Sequence, residues 1–273
     1  MPEGPEIRLA ADRIAGALVG HKIVAAKLSP AHLRKFEKRL VGSTVTAVDT
    51  RGKAMLTRFD NGLSLFTHNQ LYGRWYTTRR PTLPNTKRQL RVALHTQERS
   101  ALLYSASSIE VLTRKEIAGH AFLNRLGPDI LDRELDVDAI AQRLVDSKFG
   151  NRALGSLYLQ QAFLAGNGNY LRSEILWAAG ANPWARPAAL DKATIRSVAQ
   201  QTLTISRRSY RTRGVTATPK ETRERKAQGQ QYGEYRFQVF GREGLPCYRC
   251  GSSIERHSMS SRNLFVCPKC QQC

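Results

Sequence analysis

The chain of 273 residues has little that would direct it to a membrane or out of the cell. It contains no run of about 18 or more apolar residues, so no membrane-spanning helix is expected. Its first six residues, Met1-Pro2-Glu3-Gly4-Pro5-Glu6, are acidic and proline-rich, and they lack the basic start and apolar core of a secretion signal. Cysteine is absent before Cys247, so no disulfide framework spans the chain. These absences predict a cytoplasmic protein.

Acidic residues are also scarce. The chain has 22 Asp and Glu against 43 Lys and Arg, a formal net charge of +21. Such an excess predicts a phosphate-rich partner, a nucleic acid above all. Charge alone does not separate an enzyme acting on DNA from a ribosomal or architectural protein. The 41% of hydrophobic residues excludes wholesale disorder.

Hydrophobic patterning predicts an α+β protein. Apolar residues at three- and four-residue intervals indicate a helix over 4–19, and short strands with turn signals over 22–105 indicate a β-sandwich. Helices follow from Gly127, and a Gly/Asn turn at 166–169 between two of them is typical of a DNA-docking unit. A further helix is predicted over 190–205. The expected domains are 1–126, 127–235 and a C-terminal cysteine module at 236–273.

The segment 207–226 is the most polar part of the chain. It carries eight basic residues and little apolar content, so the sequence predicts a mobile loop. A solvated loop and direct contact with DNA phosphates both fit this composition. The eight are Arg207, Arg208, Arg211, Arg213, Lys220, Arg223, Arg225 and Lys226.

All five cysteines lie near the C-terminus. Cys247, Cys250, Cys267 and Cys270 form the pattern Cys-x2-Cys-x16-Cys-x2-Cys, the spacing of two knuckles that bind one zinc ion across a hairpin. Disulfides are the alternative, disfavoured by the absence of a secretion signal. The sequence therefore predicts one structural Zn2+ ion. Cys273 is either an incidental free thiol or a substitute ligand.

The N-terminal dipeptide Met1-Pro2 can supply a nucleophile. Removal of Met1 would leave Pro2 with a free secondary amine, and α-amino groups have a reference pKa of about 7.7–8.0. Such an amine can attack a sugar C1′ and form an iminium ion that permits elimination of phosphates. Glu3 could act as the general acid. Taken alone, Met1-Pro2 is also explained as an ordinary beginning of a protein chain. Glu3 is also explained as an acidic residue that stabilises the helix dipole.

Five motifs occur in a fixed order along the chain. They are Met1–Glu6, Arg51-Gly52-Lys53-Ala54, His68-Asn69-Gln70-Leu71-Tyr72-Gly73, Gly166-Asn167-Gly168-Asn169-Tyr170, and the four-cysteine finger with Ser260-Ser261-Arg262. Together they resemble those of the formamidopyrimidine-DNA glycosylase and endonuclease VIII family of base-excision repair enzymes, over residues 1 to about 271. The contiguous Gln70-Leu71-Tyr72 makes the chain most similar to the bacterial endonuclease VIII branch.

The resemblance implies a catalytic role for residues near the N-terminus. Pro2 would be the nucleophile and Glu3 the general acid. Lys53 would reach a phosphate on the lesion side or assist proton transfer, although a lysine in a hairpin is otherwise an exposed cation. Glu6 would be a second acidic group near the active site, and a helix-dipole role is equally open.

The resemblance also implies residues that hold DNA. Gln70, Leu71 and Tyr72 would be a wedge that fills the space left by a flipped base, whereas the bare pattern places Leu71 and Tyr72 in a core strand. Asn169, with the preceding amides, would clamp one phosphate, and Arg262 a second.

The implied activity is that of a bifunctional DNA glycosylase and AP lyase. It would act as a monomer on damaged double-stranded DNA, excise oxidised pyrimidines and cut the strand by β,δ-elimination. The alternatives are a formamidopyrimidine-DNA glycosylase that prefers oxidised purines and a non-catalytic DNA-binding protein of the same fold. Two departures from the family pattern stand out: Asn167 replaces an expected apolar residue, and the 207–226 segment is longer and more basic.

Overall fold

A computed structural model describes residues 2–272, which form two compact units. The first holds Pro2 and residues 6–125, and the second holds residues 3–5 and 126–272. Met1 and Cys273 lie outside the described residues. The predictions on the removal of Met1 and on the role of Cys273 therefore remain predictions. No helix within residues 2–272 has the length and apolar character needed to cross a bilayer.

Helix α1 (Gly4–Leu18) opens the chain and confirms the predicted helix. Eight strands follow, with two short helical elements between the first and second strands and two after the last. The strands are β1 (Ala25–Leu28), β2 (Val45–Arg51), β3 (Ala54–Phe59), β4 (Leu63–His68), β5 (Arg74–Arg79), β6 (Leu90–His95), β7 (Arg99–Tyr104) and β8 (Ser108–Thr113). The short helices are a 3-10 turn (Ala31–Phe36), α2 (Glu37–Leu40), α3 (Arg114–Ala118) and α4 (Ala121–Asn124).

The eight strands form two four-stranded antiparallel sheets, ordered β1-β6-β7-β5 and β2-β3-β4-β8. One apolar core draws on both sheets and on α1, with Trp75 and Leu94 from one sheet, Val45 and Leu65 from the other, and Ile14 from the helix. This is the predicted β-sandwich. The individual strand signals, at 23–26, 44–48, 55–59, 63–66, 91–94 and 101–104, do not include β5 or β8. Only Trp75 is buried in β5, so that strand lacks an apolar alternation.

Helices dominate the second unit. They are α5 (Val137–Val145), α6 (Leu154–Leu157), α7 (Asn169–Ala179), a 3-10 turn (Pro187–Ala189), α8 (Lys192–Arg211), α9 (Pro219–Ala227) and α10 (Tyr232–Tyr235). The chain ends in a hairpin of β9 (Glu255–Met259) and β10 (Arg262–Val266). The α+β class and the C-terminal hairpin are confirmed, and α8 extends the helix predicted over 190–205.

The prediction of a mobile loop over 207–226 is wrong. Helix α8 continues to Arg211, and α9 begins at a capping box in which Thr218 and Glu221 satisfy each other's backbone amides. The Thr-x-x-Glu spacing with Pro219 at the first helical position is a helix-start signal that composition hides.

One arginine of that segment docks onto the cysteine module. The guanidinium carbons of Arg225 and Arg242 lie 3.5 and 3.6 Å from the ring centre of Tyr248. Two guanidinium groups cannot lie this close to one ring on the same face, so they sandwich it. Arg225 is buried and also donates to the Gln238 side chain at 2.7 Å. The basic helix is therefore fixed to the knuckle that contains Cys247 and Cys250.

A buried carboxylate joins α7 to the segment before the cysteines. Glu174 is fully buried and accepts hydrogen bonds from the amides of Gln238, Val239 and Phe240, each at 2.9 Å. The Thr216 hydroxyl also donates to it. Four donors offset the desolvation cost of the charge, so Glu174 fixes residues 238–240 on α7.

The turn before α7 has one unusual side chain. Gln161 holds its backbone, accepting from the Gly166 amide at 3.1 Å and donating to the Asn167 carbonyl at 2.9 Å. Asn167 is fully buried, yet within residues 2–272 neither polar atom of its side chain has a hydrogen-bond partner. An unpaired buried amide costs about 1–3 kcal/mol.

We expect Asn167→Leu to raise the free energy of unfolding by about 1–3 kcal/mol, because leucine has a similar volume and no unpaired polar atoms. Urea denaturation followed by circular dichroism measures the change. Gln161→Leu is the matched control, since it removes an amide that is bonded, and it should lower the stability. Lower stability in Asn167→Leu would show that the amide has a partner in solution.

Candidate functional site

The Glu3 carboxylate is held at the N-terminus of α7. It is 3% exposed and accepts hydrogen bonds from the amides of Tyr170 at 2.8 Å and Leu171 at 3.3 Å. The first amides of a helix have no partner within the helix and carry a partial positive charge, so they stabilise an anion. The arrangement therefore favours the ionised carboxylate.

The Gly/Asn turn is shaped by this carboxylate. A Cβ atom on Gly168 would lie 2.3 Å from the Glu3 carboxyl carbon, so no other residue fits there without displacing the acid. The Gly4 amide donates to the Gly166 carbonyl at 2.8 Å, which ties residue 4 to the same turn. Residues 3 and 4 of the N-terminal motif thus contact the motif at 166–170.

Pro2 and Glu6 belong to the first unit. Pro2 is half-buried and is joined directly to Glu3, so the predicted nucleophile and the predicted general acid are adjacent in the chain. Glu6 is half-buried in the first turn of α1. That position suits the helix dipole as well as a site role, and both explanations of Glu6 stand.

Lys53 lies in the turn between β2 and β3, the hairpin position that the resemblance implies. It is half-buried rather than fully exposed. Its neighbour Ala54 pairs with His68 at the end of β4, and the Lys53 cation, after burial, is a cause of the lowered pKa of His68. The structure therefore brings Lys53 to the strand end from which the Gln70-Leu71-Tyr72 loop leaves.

Gln70, Leu71 and Tyr72 form the turn between β4 and β5. Leu71 is 55% exposed and Tyr72 is 69% exposed, so the interpretation of these two residues as core strand positions is wrong. An apolar and an aromatic side chain next to each other on a tight turn have no partner in a core. They are available to enter a base stack.

Arg172 is a central residue that the sequence reasoning missed. It is fully buried and donates to the Asn169 side chain at 2.9 Å and to the carbonyls of Arg262 at 3.3 Å and Asn263 at 3.2 Å. It thereby brings Asn169 and the tip of the β9–β10 hairpin together, while the Arg262 side chain stays exposed.

The charge of Arg172 persists despite burial. Burial lowers its pKa to about 10, the Glu3 carboxylate opposes that shift, and Arg262 adds to it. The group is therefore a cation at neutral pH. The signal that could have revealed it is a charged residue three positions after Asn169 in a helix whose other residues, apart from Ser173 and Glu174, are mostly apolar.

The four cysteines form a metal-binding cluster. Their Sγ atoms all lie within 4.8 Å of one another, with 3.9 Å between Cys247 and Cys270 and 3.3 Å between Cys250 and Cys267. A tetrahedral zinc ion with Zn–S bonds of about 2.3 Å needs S···S separations of about 3.8 Å, so the donor set fits Zn2+. Four thiolates close the coordination sphere, which assigns the ion a structural role.

Hydrogen bonds prepare Cys247 as a thiolate. Burial opposes its ionisation, but the amides of Arg249 and Cys250 and the indole of Trp177 donate to its sulfur, and together they lower its pKa. The Trp177 Nε1 and Arg249 N atoms each lie 3.4 Å from Sγ. The sequence identified all four ligands, and the structure adds the donors around them.

Three family models match consecutive parts of the chain. The formamidopyrimidine-DNA glycosylase N-terminal domain matches residues 1–107, the formamidopyrimidine-DNA glycosylase H2TH domain matches 126–220, and the zinc finger found in FPG and IleRS matches 244–272. The last of these identifies the cysteine cluster as a zinc site.

Solved structures share the fold of the whole chain. A structure of MutM in complex with DNA containing carbocyclic 8-oxo-G has a TM-score of 0.80 at 21% identity, covering 99% of this chain and 100% of that one. A complex between Lactococcus lactis Fpg and DNA with an abasic site has a TM-score of 0.80 at 20% identity, covering 99% of each chain. At these identities the likeness establishes the fold alone.

Removal of zinc should unfold the C-terminal hairpin. We expect one zinc per chain by elemental analysis, and its loss in Cys247→Ser or after chelation, with a lower melting temperature because metal binding supplies folding free energy. Cys273→Ser is the control and should keep stoichiometric zinc. Full zinc content in Cys247→Ser, with loss in Cys273→Ser, would contradict the ligand set.

Full-length relatives agree with the family models. The chain is 45% identical to an Endonuclease 8 of Salmonella arizonae over 272 residues, covering 100% of both, and 46% identical to an Endonuclease 8 of Escherichia coli over 271 residues, covering 99% of this chain and 100% of that one. With this identity over the full length, the chain belongs to the formamidopyrimidine-DNA glycosylase and endonuclease VIII family.

Proposed function

We propose that this chain is a DNA glycosylase of base-excision repair that also acts as an AP lyase. The observation that carries the proposal is the Glu3 carboxylate, which is buried on the first amides of α7 and lies one residue from Pro2. A preorganised acid–base group beside a terminal secondary amine is what amine-based cleavage of a sugar requires.

The reaction begins at the Pro2 nitrogen. After Met1 is removed, this nitrogen attacks C1′ of the damaged nucleotide, the glycosidic bond breaks, and the base leaves with the bonding electron pair and takes up the second proton of the Pro2 nitrogen. Because two N–H donors favour ionised Glu3, the carboxylate first takes the proton from the Pro2 ammonium and then gives it to the sugar ring oxygen. Ring opening leaves an iminium ion between Pro2 and C1′.

The iminium ion then serves as the electron sink for strand cleavage. Loss of a proton from C2′ expels the 3′ phosphate, and loss of a proton from C4′ expels the 5′ phosphate. Water hydrolyses the iminium and frees Pro2. We assign Lys53 to the phosphate or proton-transfer role, and Glu6 to the same acidic environment.

DNA is held by separate groups. Leu71 and Tyr72 fill the space that the flipped base leaves, and Gln70 completes the wedge. Asn169 and Arg262, joined through Arg172, bind phosphates beside the lesion, and the net charge of +21 provides the salt-sensitive attraction to the duplex. The zinc ion supports the hairpin that carries Arg262.

We further propose the setting of the reaction. The catalytic domain is 1–126, the DNA-binding helical domain is 127–235 and the zinc finger is 236–273. The protein acts as a monomer on chromosomal DNA in the cytoplasm. The boundary between the two compact units at residues 125 and 126 supports the limit of the first domain.

Borohydride reduction on abasic-site DNA tests the nucleophile. We expect a covalent adduct that mass spectrometry maps to Pro2, because reduction fixes the iminium. Pro2→Gly and a form that keeps Met1 should give none, whereas Pro5→Ala, a nearby proline without a terminal amine, should still give it. No adduct with correctly processed protein would favour the alternative of a non-catalytic DNA-binding protein.

The base preference is tested by paired substrates. We propose oxidised pyrimidines, supported by the contiguous Gln70-Leu71-Tyr72 and by 45% identity to Endonuclease 8 relatives. Single-turnover excision of thymine glycol should be at least about tenfold faster than that of 8-oxoguanine in matched duplexes, about 1.4 kcal/mol in barrier. The reverse order would favour a formamidopyrimidine-DNA glycosylase that prefers oxidised purines.

A further inference from the structure

The turn after β4 is held in one backbone conformation although its side chains are exposed. The Gly73 amide donates to the Asn69 carbonyl at 2.8 Å, and a Cβ on Gly73 would lie 2.6 Å from that oxygen. Gln70 has a φ of 50°, in the left-handed region that a residue with a side chain seldom occupies. Such a conformation persists only where surrounding contacts impose it.

Two side chains impose it on Gln70. The His68 Nδ1 atom accepts a hydrogen bond from the Gln70 amide at 3.1 Å, and the Ser107 hydroxyl donates to the Gln70 side-chain oxygen at 2.5 Å. Arg88 donates to the Tyr72 carbonyl at 2.7 Å. An imidazole nitrogen that accepts must be unprotonated, so the contact requires neutral His68 with its proton on Nε2.

The surroundings of His68 keep it neutral. Burial and then the Lys53 cation lower its pKa below the ordinary value for histidine. The Phe122 ring from α4 packs edge-on, with centroids 5.4 Å apart. The other titratable or charged groups on the neighbouring elements are Arg58 of β3, which donates to Asp49, and, on the other side, His120, before α4, and Glu110 of β8, which lie 3.4 Å from each other.

We propose that His68 is a positioning residue for the wedge, its neutral imidazole fixing the Gln70 amide so that Leu71 and Tyr72 are presented to the base stack. The proposal rests on the proposed function, since it deepens the role of residues 70–72. His68 belongs to the same motif as the wedge, and nothing in the reaction scheme uses it.

Two substitutions separate the hydrogen bond from the bulk of the ring. His68→Leu removes the acceptor. His68→Asn restores one, because an asparagine side-chain oxygen readily accepts from the amide two residues ahead. His95→Leu is the matched control, since His95 is a half-buried histidine with a lowered pKa on the other sheet, where it contacts Ser100.

The first readout needs no DNA. Amide hydrogen exchange of the full-length zinc-loaded protein, at one pH, should show loss of protection at Gln70 in His68→Leu and retention in His68→Asn and His95→Leu. Nitrogen NMR of the imidazole should show the Nε2–H tautomer of His68. A Nδ1–H tautomer, or unchanged exchange in His68→Leu, would overturn the proposal even if the enzyme proves active.

The second readout is base flipping. With 2-aminopurine beside a thymine glycol, His68→Leu should slow the flipping phase and single-turnover excision by about 5- to 30-fold, the loss expected for one hydrogen bond and the backbone conformation it holds. His68→Asn should stay within about twofold of the wild type. Equal rates for His68→Leu and the wild type, or equal losses in both variants, would contradict the positioning role.

The third readout is pH. Because the folded state favours neutral His68, the contact is present above the ordinary histidine pKa of about 6.5 and is lost as pH falls through the lowered value. The ratio of wild-type to His68→Asn flipping rates should therefore fall at acidic pH, since asparagine does not titrate. A constant ratio would overturn the proposal. An inactive wild type with a protected Gln70 amide would instead count against the proposed function.

Discussion

The hydrogen bonds from the first turn of α7 to Glu3 are the interaction on which the second unit depends. A carboxylate that leaves water must gain partners of comparable strength, and the free amides of a helix N-terminus provide them without any change in their conformation. The same contact explains the glycine at 168, where a side chain would overlap the acid. The turn that precedes α7 is thus constrained by the residue that α7 binds.

Helix α7 carries its charges inward for the same reason. Arg172 is fully buried and links Asn169 to the hairpin tip, and Glu174 is fully buried and holds the chain at 238–240. Burying either charge without partners would lower the stability, but each one has several hydrogen-bond partners. Removing one partner from such a network leaves a buried charge uncompensated, which is strongly destabilising. A single helix therefore positions Glu3, Asn169 and the segment before the zinc ligands.

The first unit positions its predicted site residues in a different way. Its site residues lie on turns at strand ends, where a packed sandwich leaves side chains free of the core. Lys53 occupies one such turn and Leu71 and Tyr72 another, and pairing of Ala54 with His68 places the two turns at the same edge of the sheet. Rigid strands thus position the half-buried Lys53 and the exposed Leu71 and Tyr72.

The sequence by itself determined the fold class, the helix at 4–18, most strands and the four zinc ligands, because each leaves a local signal in periodicity or spacing. It did not determine the exposure of Leu71 and Tyr72, because an apolar and an aromatic residue also suit a core strand. It did not determine that 207–226 is largely helical, because the high charge of the segment is typical of a loop. Nor did it reveal Arg172 and Glu174. Their partners lie up to 91 residues away in the chain, so only the tertiary structure, which pairs a buried charge with distant carbonyls and amides, decides what they do.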